Sequence, residues 1–140
     1  MKEIITYSEE ETKKVARQIA ENIDKNAVIV LNGELGAGKT KFTEGFLSYF
    51  DLQSQISSPT FTIVNEYINN KVTVYHFDVY RLADIDEFYA IGGEEYFSKG
   101  ICIIEWGEII EAALPQHYIK IELKKDEENI EKRIICIEEK

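Results

Sequence analysis

Eight consecutive residues, Gly33 to Thr40, read Gly-Glu-Leu-Gly-Ala-Gly-Lys-Thr and match the phosphate-binding pattern G-x-x-x-x-G-K-[ST] at every position. This pattern constrains the fold, because such a loop works only between a buried strand and the start of a helix. The flanks agree. Ala27 to Leu31 is an apolar run of strand length, and Lys39 to Phe50 carries Phe42, Phe46, Leu47 and Phe50 at helical spacing. Glycines let successive N–H groups turn toward one anion, and the helix adds its positive N-terminal end. The expected nucleotide site is therefore Glu34, Leu35, Gly36, Ala37, Gly38, Lys39, Thr40 and Lys41. Lys39 is expected at the outer phosphates, and the Thr40 hydroxyl toward Mg²⁺. A nucleoside triphosphate is the first-choice ligand.

The rest of the chain reads as strands and helices around that unit. Ser8-Glu9-Glu10-Glu11 has the form of a capping box, with Ser8 as N-cap and Glu11 reaching back. The helix it opens runs to about Ile23, with Val15, Ile19 and Ile23 on one stripe. Asp51 to Ser58 is polar and irregular. Phe61 to Ile68 and Val72 to Phe77 are rich in strand formers and flank Asn69-Asn70, which predicts a hairpin. Leu82 to Ser98 reads as helical or mixed, interrupted by Gly92-Gly93, and Ile101 to Ile104 is a fully apolar strand. A short helix is expected over Glu108 to Leu114, ending at Pro115. Tyr118 to Leu123 and Arg133 to Glu138 alternate apolar and polar residues around a charged turn, a second hairpin. The expected class is α/β: a central sheet like that of P-loop nucleotide hydrolases, mixed parallel and antiparallel, flanked by helices, in a single domain over 1–140.

A phosphate loop needs an acidic partner at the end of a neighbouring strand. Val74-Tyr75-His76-Phe77-Asp78 offers Asp78, and Ile101-Cys102-Ile103-Ile104-Glu105 offers Glu105. Both are candidate catalytic carboxylates, and Glu105 is also a candidate Mg²⁺ ligand beside Thr40. His76 lies two residues before Asp78 on the same strand face, where it either orients that carboxylate or is a half-buried strand histidine. Arg81 is expected to contact a phosphate or to pair with Asp78 or Asp84. Trp106, next to Glu105, is a core anchor or a partner-facing aromatic. Ser58, Pro59 and Thr60 lie between the loop helix and the first hairpin, where nucleotide switches place a threonine and where an ordinary Ser-Pro turn is the other reading.

The net charge of −10, with only three arginines (Arg17, Arg81 and Arg133), argues against unaided binding to a nucleic acid backbone. It leaves open a basic protein partner or an RNA held by another subunit. No apolar run approaches the roughly 20 residues that span a membrane. Met1 to Thr12 contains no hydrophobic targeting core, so the cytoplasm is the expected location. Cys102 and Cys136 each sit inside an apolar run and read as buried strand thiols.

Four blocks together carry a resemblance: Asn32 to Thr40, Ser58-Pro59-Thr60-Phe61, Tyr75-His76-Phe77-Asp78-Val79-Tyr80-Arg81-Leu82, and Ile104-Glu105-Trp106-Gly107-Glu108. In order and spacing the chain resembles the TsaE (formerly YjeE) family, bacterial ATPases required for threonylcarbamoyl-adenosine modification of tRNA. Two departures are small: Glu34 stands where the family usually has Asp, and Lys41 where it has a second Thr. The resemblance implies ATP and Mg²⁺ as ligands and the TsaD and TsaB subunits as partners. Those subunits transfer the threonylcarbamoyl group to the adenosine beside the anticodon, and the TsaE-like subunit hydrolyses ATP slowly to reset the complex. By the same resemblance Lys39 and Thr40 bind phosphate and Mg²⁺. Asp78 and Glu105 are the acidic site residues, Thr60 belongs to the switch, Trp106 lies beside the site, and Ser8 to Thr12 is a segment that approaches the adenine in the family, while the residues that contact the base stay open. Rival readings are a small-molecule kinase, which commonly needs several arginines over the phosphoryl group, and a nucleotide-dependent binding module without hydrolysis. A GTPase is disfavoured, since no Asn-Lys-x-Asp signature is present.

Overall fold

A computed structural model describes residues 2–56, 63–80 and 82–140. In chain order the elements are β1 (Lys2–Thr6), α1 (Glu9–Glu21), β2 (Val28–Gly33), α2 (Lys39–Tyr49), β3 (Val64–Ile68), β4 (Thr73–Asp78), α3 (Ile85–Ala90), β5 (Ile101–Glu105), β6 (Ile119–Lys125) and β7 (Arg133–Glu139). Short 3₁₀ helices occupy Gln53–Gln55, Gly93–Ser98 and Gly107–Ala113. The strands form one seven-stranded sheet in the order β1-β7-β6-β2-β5-β4-β3. β4, β5, β2 and β6 run parallel, and β3, β7 and β1 add antiparallel edges. This is the mixed, helix-flanked α/β sheet expected from the sequence, with its parallel part centred on the phosphate-loop strand.

Strand alternation divides the core into two layers. Ile29 and Leu31 of β2, Ile101 and Ile103 of β5 and Val74 of β4 face α1 and α2, where Ala16, Phe42, Phe46 and Leu47 meet them. Val28, Cys102, Ile104, Tyr75 and Phe77 face the opposite side, against Phe88 of α3 and Ile110 of the last 3₁₀ helix. Each fully buried aromatic or aliphatic side chain contributes roughly 1.5–3 kcal/mol. α1 and α2 approach closely at Gly45, where an added Cβ would lie 2.5 Å from the Lys13 backbone.

Several boundaries differ from the sequence reading. β1 was not expected. It pairs only with β7, and its sole apolar pair, Ile4-Ile5, is too short to give an alternating pattern. Ser8 caps α1 through the Glu11 N–H (3.1 Å), but the Glu11 carboxylate accepts from Tyr7, one residue before the cap. α1 ends at Glu21, with Asn22 as its C-cap. The short helix expected over Glu108 to Leu114 is a 3₁₀ helix over Gly107–Ala113, with a non-helical φ of −115° at Ile110. Both cysteines are free and buried. Among the described residues no helix is long and apolar enough to cross a membrane.

Candidate phosphate-binding site

The parallel strands bring three carboxyl ends together. β2 ends in the glycine loop, and in register across the sheet Leu31 stands opposite Glu105, with Glu105 opposite Asp78. The chain leaving β2 turns to the face covered by α2. The chain leaving the neighbouring β5 turns to the other face through Gly107–Ala113. Adjacent strands whose connections leave on opposite faces open a crevice at their carboxyl ends, the place where open α/β sheets bind ligands.

The loop has the backbone its glycines permit. Gly36 and Gly38 hold φ at +81° and +103°, in the left-handed region that side-chain-bearing residues rarely adopt. The Ala37 N–H closes a turn onto the Glu34 carbonyl (3.0 Å), and the Phe42 N–H starts α2 on the Gly38 carbonyl (2.9 Å). Glu34, Leu35 and Thr40 are exposed and Ala37 is buried. Lys41 turns to the acidic side of α1 and α2, 3.5 Å from Glu44 and 4.0 Å from Glu9.

Lys39 and Glu105 meet directly. The Lys39 ammonium lies 3.5 Å from one Glu105 oxygen, and His76 Nε2 lies 2.6 Å from the other. All three side chains are largely buried, at 16–17% exposure, so the carboxylate is held between two nitrogen partners in a partly dry site. Burial opposes its charged form. The hydrogen bond and charge of His76, together with Lys39, outweigh burial and keep the carboxyl below its ordinary value. Glu105 is therefore an ionised acceptor rather than a proton donor at neutral pH.

This corrects one expectation. His76 does not orient Asp78; it bonds Glu105, diagonally across the β4–β5 pair. Asp78 is exposed and accepts from the Tyr80 N–H (3.1 Å), which fixes the turn after β4. Trp106 is neither a core anchor nor wholly exposed. It adopts a left-handed φ of +65°, places its ring 5.2 Å from the Lys39 ammonium, and packs against the Tyr80 ring, tilted by 44° with centroids 4.8 Å apart. Backbone strain at a non-glycine residue in contact with the loop lysine is a feature that functional sites collect. Ser58, Pro59, Thr60 and Arg81 lie outside the described residues.

Two cavities flank the loop. One of about 540 Å³ is lined by Asn32, Lys39, Trp106, Glu108 and Lys124. The other, of about 580 Å³, lies between the loop, Ser8 to Glu10 of the α1 start, and Ile130 and Arg133. Both are in the size range of small-molecule sites. Sequence reasoning missed two cations beside the loop: Lys125, whose ammonium stands against Gly36, and Arg133, which bonds the loop backbone. Neither belongs to a local motif; the sheet alone brings them there.

Glu105 ends β5, Asp78 ends β4 and Thr40 lies in the first turn of α2, and their side-chain oxygens are the hard donors that could hold Mg²⁺ once phosphates complete its shell. Among the described residues no group of three or more His, Cys, Asp or Glu is placed to hold a metal by itself. This donor set suits a cation that arrives with a phosphate ligand.

Comparison with known proteins gives one family. The family model described as "Threonylcarbamoyl adenosine biosynthesis protein TsaE" matches residues 6–135. The tRNA threonylcarbamoyladenosine biosynthesis protein TsaE of Bacillus subtilis is 42% identical over 121 residues, covering 86% of this chain and 75% of that protein. Its counterpart in Treponema pallidum is 37% identical over 121 residues, covering 86% and 89%. A crystal structure of Bacillus subtilis YdiB superposes with a TM-score of 0.76 at 36% identity, covering 97% of this chain and 83% of that one.

Proposed function

The chain belongs to the TsaE family of threonylcarbamoyl adenosine biosynthesis proteins, and on that premise we propose that it is the ATP-binding, slowly hydrolysing subunit that supports tRNA N6-threonylcarbamoyladenosine formation with TsaD and TsaB. The observation that carries this reading is the Lys39–Glu105–His76 cluster set at the mouth of a left-handed glycine loop. The loop N–H groups and Lys39 take the phosphates, and Lys39 exchanges its pairing with Glu105 for the outer phosphate charge. Thr40 and Glu105 would hold Mg²⁺, which would neutralise phosphate charge there. His76 keeps Glu105 ionised and aimed into the crevice. Asp78 serves as the second carboxylate, orienting water at the terminal phosphate. In this reading Ser58, Pro59 and Thr60 act as the nucleotide-sensing segment, Arg81 contacts a phosphate, and Trp106 covers Lys39. The cavity between the loop and Ser8 to Glu10 receives the nucleoside.

A kinase reading has less support. Arg17 bonds Ser48 and Arg133 is spent on backbone carbonyls, which leaves Arg81 alone of the chain's arginines for a transferred phosphoryl group. The charge of −10 favours contact with tRNA through the protein partners rather than directly. The cytoplasm is the proposed setting. Phosphate release from ATP, measured with and without TsaD and TsaB, tests the proposal. Turnover is expected to rise with the partners and to fall in Glu105→Ala and Asp78→Ala. Tight ATP binding with no phosphate release under any condition would overturn the hydrolytic reading in favour of a binding module.

A further inference from the structure

We propose that Arg133 is a positioning residue for the phosphate loop, tethering the loop by its carbonyl side so that its N–H side is preset. Arg133 opens β7, in register with Thr6 of β1 and Lys125 of β6. From there its Nε donates to the Ala37 carbonyl (3.1 Å) and one terminal nitrogen to the Gly36 carbonyl (3.3 Å). The other terminal nitrogen donates to the carbonyls of Ile130 (2.6 Å) and Lys132 (2.9 Å). Every acceptor is backbone oxygen, and among the described residues Arg133 makes no ion pair. The guanidinium therefore links the loop to the turn between β6 and β7.

The physical consequence follows from the planar peptide. C=O and N–H point in opposite directions across one peptide, so fixing the Ala37 carbonyl fixes the Gly38 N–H on the far side. Fixing the Gly36 carbonyl likewise aims the Ala37 N–H, which donates to Glu34. The loop needs such a tether because Gly36 and Gly38 visit positive and negative φ about equally when free. A rigid fork with several donors suits the task, and a lysine's single ammonium does not reproduce it. A loop already ordered binds anions more tightly, because the ordering cost does not fall on the binding step.

The affinity part of this inference rests on the phosphate-binding reading, so the test has two arms in the full chain. Arg133→Lys and Arg133→Gln are compared with wild type by amide hydrogen exchange and by calorimetric titration with ADP. Exchange at Gly38 and Lys39 is expected to rise in both variants while β2 and β5 keep wild-type protection. ADP affinity is expected to fall in both by at least about tenfold, roughly the effect of ordering one residue at binding. Wild-type loop exchange in both variants would overturn the tether. Retained affinity in the lysine variant alone would assign Arg133 a charge contact instead and overturn it too. Lost protection throughout the sheet would reduce Arg133 to a general stabilising role, against the proposal. Absence of ADP binding by wild type would sink the phosphate reading, and the exchange arm would still decide the tether.

Discussion

Replacing Glu105 by glutamine keeps the shape of the side chain and removes its charge, and the structure sets the sign of the result. The carboxylate has two nitrogen partners, Lys39 at 3.5 Å and His76 at 2.6 Å. A hydrogen bond to a charged group exceeds a neutral one by about 1 kcal/mol, so the two contacts together favour the wild type by about 2 kcal/mol. Relief of the buried charge returns part of this, which leaves an expected loss of about 1–2 kcal/mol. The assay is urea unfolding followed by circular dichroism, in nucleotide-free buffer with chelator, at a series of pH values. The folded carboxyl sits below its ordinary 4.5, so its stabilising effect is present above that value and is lost as pH falls through the lower folded one. The gap between wild type and Glu105→Gln should hold from pH 7 to about 4.5 and close below it. A variant as stable as wild type at pH 7, or more stable, would mark the cluster as strained rather than mutually satisfied.

Two further perturbations test the packing that supports the site. Gly45→Ala places a methyl 2.5 Å from the Lys13 backbone, so α1 and α2 must separate, and thermal unfolding should show a loss of roughly 1–3 kcal/mol. Burial pushes the Cys102 thiol up to about 12, so alkylation by iodoacetamide at pH 8 should leave it unmodified in the folded chain and label it in urea.

The glycine turn was legible because its signal is local: eight residues between a buried strand and a helix announce the left-handed loop. The parallel core was legible for a related reason. Ile101 to Ile104 is buried on both faces of the sheet, and such strands read as unbroken apolar runs. Glu105 stood out as the acid that ends one of them. What the sequence hid depends on tertiary register. Strand period placed His76 with Asp78, but the parallel pairing of β4 with β5 carries its ring to Glu105, 29 positions away. Arg133 lies 96 positions from the carbonyl of Ala37, and only the order β7-β6-β2 brings them together. β1 has too few residues to declare its period, and Gly107–Ala113 carries helical spacing in Ile109, Ile110 and Ala113 while its backbone follows a tighter repeat.

In the proposed binding step Lys39 leaves its pairing with Glu105 to hold the phosphates of ATP. Calorimetric titration of Mg²⁺–ATP into wild type and Lys39→Ala tests it most directly, with circular dichroism to show that both are folded. Wild type should bind with one site per chain, and the alanine variant should give no measurable heat at concentrations that saturate wild type. Equal affinity in the two proteins would contradict that exchange.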